Sequence, residues 1–143
     1  MSSDHDQMMR DILLSTNTVA SVGLSSNDEK ESYWIVFFLK EMGYRMIPVN
    51  PKATEIFGEK AYPSLLDIPD KVDVVQIFRK PEDVPPIVED AIKIGAKVVW
   101  MQEGIVNEEA ARMAREAGLQ VVMDACMRAT HKRLGLGKKP TQL

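Results

Sequence analysis

The chain has a single cysteine, Cys126, among its 143 residues. An internal disulfide, a four-cysteine zinc site and a Cys-x-x-Cys redox pair are all excluded, and a reducing, cytoplasmic setting is expected. A basic excess is missing too: 18 Lys and Arg stand against 21 Asp and Glu, for a formal net charge of −3 and a pI near 5.4. This withholds the general attraction for a polyanion on which sequence-independent nucleic-acid binding rests, so no nucleic-acid partner is expected. Nowhere do about 18 apolar residues run together. The polar, partly acidic start over residues 1–11 also lacks the basic opening and apolar stretch of a signal peptide. Neither a membrane span nor export is expected. Histidine is confined to His5 and His131, which leaves little for metal or acid–base chemistry.

What is present is enough apolar material, 45% of residues, for one substantial core. Three times a helical stretch ends at glycine and an apolar, β-branched run follows: Gly43 before 46–49, Gly95 before 98–101, and Gly118 before 121–123. Glycine suits a helix stop, where one residue commonly turns left-handed. Upstream, Ile35, Phe38, Leu39 and Met42, then Val84, Ile87, Val88, Ala91 and Ile92, then Ala110, Met113, Ala114 and Ala117 each form one helical face. Ser32, Asp83 and Asn107 mark the starts. The runs 19–22, 45–49, 72–78, 97–101 and 120–123 are nearly continuous rather than alternating, as in strands buried on both faces. The expectation is one α/β domain over 1–143, with a doubly wound, mainly parallel, five-stranded Rossmann-like sheet and helices on both faces. Its core spans about 18–136, with a lead-in helix near 7–14, a basic tail helix near 127–134 and fraying over 138–143.

In such sheets ligands bind beyond the carboxyl ends of the strands. Four segments fall there: Gly23, Leu24, Ser25, Ser26 and Asn27; Asn50, Pro51 and Lys52; Phe78, Arg79, Lys80 and Pro81; and Gln102, Glu103 and Gly104. The glycine loop before a helix suits a pyrophosphate on backbone N–H groups and the Ser25 and Ser26 hydroxyls. It has one glycine where the GxGxxG pattern has three, with acidic Asp28, Glu29 and Glu31 nearby, so an ordinary strand-to-helix turn stays open. At the second strand's end an NAD site usually has an acidic acceptor for the ribose hydroxyl. Here stands Lys52, suited to the extra ribose phosphate of coenzyme A or NADP, or simply solvated in a Pro-containing turn. Phe78 fits an adenine platform or the core, Arg79 a phosphate or an ion pair, and Trp100 the core.

Taken in order, the segments at 22–26, 44–52, 72–79, 95–111 and 121–127 resemble the small stand-alone CoA-binding proteins. More distantly they are similar to the CoA-binding domain of the succinyl-CoA synthetase α subunit and of NDP-forming acyl-CoA synthetases. The resemblance covers about residues 18–136. It implies coenzyme A as the ligand, with Gly23, Ser25 and Ser26 at the pyrophosphate, Lys52 near the nucleotide's phosphate and Phe78 and Arg79 around the adenosine. Gln102, Glu103 and Gly104 would follow the pantetheine arm. Apart from the resemblance, Leu24, Asn50 and Pro51 are expected contacts by their place in the strand-end segments, and Tyr33 by its place at the helix start. Leu24 stands where these proteins more often carry alanine, and Gln76 where they often carry aspartate. The leucine is expected to narrow the approach to the loop.

No nucleophile–base–orienter set can be assembled by spacing. His131 lies in a basic helix and reads as a surface or capping residue, and Cys126, beside Asp124, as a buried structural cysteine. The expected function is a non-catalytic carrier or sensor of coenzyme A or an acyl-CoA. The alternatives are an NADP- or nucleotide-binding enzyme, or an interaction scaffold with a decayed ligand site. The helix over 32–42, from Ser32 to Met42, is apolar nearly all round, with Tyr33, Trp34 and Phe37 beyond the stripe a sheet needs. A homodimer contact or packing by the terminal helices would cover it.

Overall fold

Strands that are apolar on both faces are satisfied only in a sheet covered twice. In the computed structural model, which describes residues 3–140, five of them assemble in this way. The strands are β1 (Thr18–Val22), β2 (Arg45–Val49), β5 (Val74–Ile77), β6 (Val98–Met101) and β7 (Gln120–Val122), in the order β2-β1-β5-β6-β7. Every neighbouring pair is parallel. A small hairpin of β3 (Glu55–Ile56) and β4 (Glu59–Lys60) lies between β2 and β5 in the chain; the sequence pattern had not indicated it.

Helices α3 (Val84–Lys93) and α4 (Glu108–Glu116) cover one face with Val84, Val88, Ala91, Ala110, Ala111 and Ala114, against Ala20, Ile47, Val75 and Val99. Helices α1 (Asp4–Ser15), α2 (Glu31–Glu41) and α5 (Met127–Arg133) cover the other with Ile12, Leu13, Ile35, Val36, Leu39 and Met127. Trp100, fully buried on that second face, donates its indole N–H to the Ala125 carbonyl at 2.8 Å, so its expected core role holds. Burying a large side chain of this kind contributes on the order of 1.5–3 kcal/mol. Register is pinned at the start of the sheet by Asp73. One of its carboxylate oxygens accepts from the N–H groups of Asn17 and Thr18 at 2.9 and 3.1 Å. Burial alone would raise this carboxyl, but those two N–H groups and Lys97 outweigh it and hold its pKa below the usual value.

The caps differ in detail from the expectation. Asn107 caps α4 by accepting from Ala110 N–H at 2.9 Å. Ser32 does not begin α2; the cap position is Lys30, and the Ser32 hydroxyl accepts from the Ser25 N–H instead, at 3.2 Å. Asp83 occupies the α3 cap position without a capping bond, its carboxylate being drawn to Arg79 at 3.4 Å. The lead-in helix is longer than 7–14 because the Ser3 hydroxyl accepts from Asp6 N–H at 3.0 Å.

Fraying from 138 onward is also corrected at Lys139. Its N–H donates to the Met42 carbonyl at 2.8 Å and its ammonium sits 4.7 Å over the Tyr44 ring. The rest of that tail, 141–143, lies outside the described residues. His131, expected as a surface or capping residue, is 2% exposed and meets the edges of the Phe38 and Tyr44 rings, each at 5.7 Å. Burial, helped by the Lys139 charge, pushes its pKa down.

Candidate functional site

The connection from β1 runs to β2 on one side, and the chain then crosses back to β5 on the other side of β1. Strand order reverses there, and the carboxyl ends of β1 and β5 open a crevice. Gly23 leaves β1 at φ +89°, and a Cβ built on it would lie 2.9 Å from Arg79 Cδ. A side chain here would push Arg79 aside and sit on a left-handed backbone, so glycine fits best where the two strand ends meet. The Gly23 N–H donates to the Val49 carbonyl at 3.1 Å and the Phe78 N–H to the Val22 carbonyl at 2.9 Å, tying the ends of β1, β2 and β5 together.

Asn50 joins the two loops that follow. Its amide nitrogen donates to the Leu24 carbonyl at 2.9 Å, and its side-chain oxygen accepts from the Lys52 N–H at 2.8 Å. Both polar ends of Asn50 thus shape the site. Ser25 accepts on its hydroxyl from the Asn27 N–H at 3.0 Å, which keeps that hydroxyl proton free to donate.

The crevice divides into two cavities. The larger, about 460 Å³, is lined by Gly23, Ser25, Asn50, Pro51, Lys52 and Arg79, with Pro63, Asp83 and Ile87 on its far wall. Arg79 is half exposed and Asp83 stands 3.4 Å away, a pair worth little in water. Lys52 is exposed and in no ion pair among the described residues. Asp28 and Glu29 are exposed and line neither cavity, and Glu31 reaches toward Arg128 at 3.8 Å. The groove is therefore a cationic one built around Gly23, with the Ser25 hydroxyl beside it.

The smaller cavity, about 210 Å³, is lined by Ser32, Ile35, Phe78, Gln102, Glu103 and Cys126, with Glu31 and Ile105 at its margin. Phe78 and Arg79, adjacent in sequence just beyond β5, address different cavities. Beneath the smaller cavity runs a buried polar relay. The Ser21 hydroxyl donates to Gln76 Oε1 at 2.7 Å, Gln76 Nε2 donates to Gln102 Oε1 at 3.2 Å, and the Met127 N–H donates to the same oxygen at 3.1 Å. With Gln102 Oε1 accepting twice, its amide nitrogen is the end left to face the cavity.

The groove thus gathers Gly23, Ser25, Asn50, Pro51, Lys52 and Arg79, and the second cavity gathers Phe78, Gln102 and Glu103. Four expected residues line neither. Leu24 is fully buried among the residues beneath α2, so it does not narrow the approach to the loop; only its carbonyl takes part, through Asn50. Tyr33 is packed on Phe57 at 4.5 Å between ring centres. Ser26 is exposed, and Gly104 donates its N–H to Asp124 at 2.7 Å. Cys126 is half-buried and on a cavity wall, not buried structure. It lies in the short connection from β7 to α5, so extending the strand-end rule to the fifth strand would have found it. Ser21 and Gln76 carry no such signal: each is one polar residue in an apolar strand until the register sets them opposite each other.

Residues 17–132 match the family model described as CoA binding domain. The chain is 38% identical over 123 residues to the Bacillus subtilis protein YneT, covering 86% of this chain and 91% of that one. It superposes on a Pyrococcus horikoshii protein of known structure with a TM-score of 0.89 and 45% identity, over 96% of this chain and 98% of that one. It is also 39% identical over 80 residues to an ADP-forming acetate–CoA ligase of Methanocaldococcus jannaschii, covering 56% of this chain but only 11% of the ligase. Among the described residues no helix is long and apolar enough to cross a membrane.

Proposed function

The chain belongs to the CoA-binding domain family, and from that premise we propose that it binds coenzyme A or an acyl-CoA along the crevice, as a cytoplasmic carrier or sensor without chemistry of its own. The observation that carries this reading is the side-chain-free Gly23 flanked by Arg79 and Lys52 in one groove, with a second cavity opening across Phe78. A phosphorylated nucleotide with a long arm suits that division. Lys52 and Arg79 would hold phosphates, with the Ser25 hydroxyl as a further donor. The arm would pass Phe78 to the Gln102 amide, which the buried relay holds in place. Coenzyme A supplies a thiol that carries an acyl group as a thioester; the protein's part is to hold and orient it.

The test is calorimetric titration with coenzyme A, dephospho-CoA, NADP and NAD at matched salt. Coenzyme A is expected to bind best. Lys52→Ala should weaken it about tenfold to a hundredfold, the value of one charge-assisted contact of about 1.5–3 kcal/mol. Dephospho-CoA should lose little by the same change. Equal losses would remove Lys52 from the terminal phosphate. A preference for NADP would move the site to nicotinamide chemistry, and heat from none of the four would overturn the ligand reading.

A further inference from the structure

Helix α2 turns Ile35, Val36 and Leu39 to the sheet, and α5 covers its Phe38 flank, where the Lys132 ammonium lies 5.0 Å from the Phe38 ring. A second stripe stays outside. Lys30, Trp34, Phe37 and Glu41 are all exposed, and their spacing of four, three and four residues places them in one line. Trp34 is 47% and Phe37 38% exposed, large values for adjacent aromatics on one helix face.

The centre of the stripe is held rigid. Trp34 donates its indole N–H to the Asp28 carbonyl at 2.7 Å and meets Phe37 edge to face at 5.7 Å. Phe57, in the turn between β3 and β4, packs against both Tyr33 and Phe37, at 4.5 and 5.7 Å. It does so from a left-handed backbone at φ 56°, a conformation that disfavours a bulky residue and persists because the ring is anchored. A plate of fixed aromatic rings loses little freedom when covered.

The ends of the stripe name what covers it. Lys30 stands at one end and Glu41 at the other, and neither is in an ion pair among the described residues. Turned end for end, the stripe is its own complement. Trp34 falls on Phe37 of a second copy, and Lys30 falls on its Glu41. A parallel arrangement would instead set lysine on lysine and glutamate on glutamate.

We propose that two copies of the protein pair through α2, antiparallel, about a two-fold axis passing between Trp34 and Phe37. Such an interface is isologous, each contact being made twice. The stripe lines neither cavity, so the pairing stands or falls independently of the ligand.

Sedimentation equilibrium over a wide concentration range tests this. The wild type is expected to show a reversible monomer–dimer equilibrium, weakened at high salt. Trp34→Ala should raise the dimer dissociation constant at least about tenfold, as loss of a central aromatic anchor does. Glu41→Lys and Lys30→Glu should each raise it about tenfold by turning two attractions into two repulsions, and combining them should restore it. Far-ultraviolet circular dichroism of each variant confirms that the fold is kept. A wild type that remains monomeric at every concentration overturns the proposal. So does a dimer indifferent to Trp34→Ala, and failure of the charge swap to restore pairing overturns the antiparallel register.

Discussion

Gly23→Ala separates what the glycine does for the fold from what it does for the ligand. A left-handed backbone costs a residue with a Cβ about 1–2 kcal/mol, and Gly23 sits at φ +89°. The added carbon would also lie 2.9 Å from Arg79 Cδ. That side chain is 52% exposed and holds only a 3.4 Å ion pair with Asp83, so it can swing away at little cost to folding. The melting temperature should therefore fall by about 3–8 °C, the range for about 1–2 kcal/mol in a domain of this size. Coenzyme A should suffer more, because the displaced arginine leaves the groove; losing one charge-assisted contact is about tenfold to a hundredfold in affinity. Scanning calorimetry reads the first effect and titration the second. Arg79→Ala should reproduce the ligand loss without the thermal loss, and the double variant should bind no worse than either single one, since both act through the same side chain. A lowered melting temperature with affinity within about twofold of wild type would refute the placement of phosphate beside Gly23.

Gln76→Leu leaves the Ser21 hydroxyl buried without its acceptor and should cost about 1–3 kcal/mol in urea unfolding, while adding Ser21→Ala should recover much of it; no recovery would mean the relay is not what Gln76 supplies. Cys126 faces the smaller cavity, so a maleimide should label the folded protein at this one thiol, followed by intact mass, and coenzyme A should slow the labelling; a thiol that reacts only after denaturation would contradict its position on the cavity wall. His131 has a folded pKa below its ordinary 6.5. The unfolded chain therefore takes up the proton first, so the contribution is fully present above about 6.5 and is lost as pH falls through that value toward the lower folded pKa. Melting temperature measured from about pH 8 to 5 should decline on the acid side, and His131→Phe should flatten that decline; an unchanged profile would assign it to the carboxylates.

Much of the fold is legible because its signals are local. Glycine after a helical face, an asparagine before two acids and a short β-branched run each act within a turn or two, and α4 begins at Asn107 as its sequence indicates. The hairpin at 55–60 escaped because it has only two residues in each strand and Phe57 in the left-handed position where asparagine or glycine is usual. Ser32 does not cap α2 although its position suits a cap, because a serine near a helix start looks the same in sequence whether it caps its own helix or, as here, bonds the preceding loop.

The candidate site was half legible for a different reason. By itself the sequence determined the parallel sheet, its five strands and the segments at their carboxyl ends, because strand type and strand end are written in consecutive residues. It also marked Gly23, Lys52 and Arg79 as groove chemistry. Facing was decided only by the tertiary structure. A strand buried on both sides has no alternation to read, so nothing in residues 72–79 tells that Phe78 and Arg79 open onto different cavities. Likewise Leu24 lies within the loop after β1 in sequence but under α2 in space. Ser21, Gln76 and Gln102 come from β1, β5 and the end of β6, and only the register that sets Ser21 beside Gln76 turns three isolated polar residues into one relay.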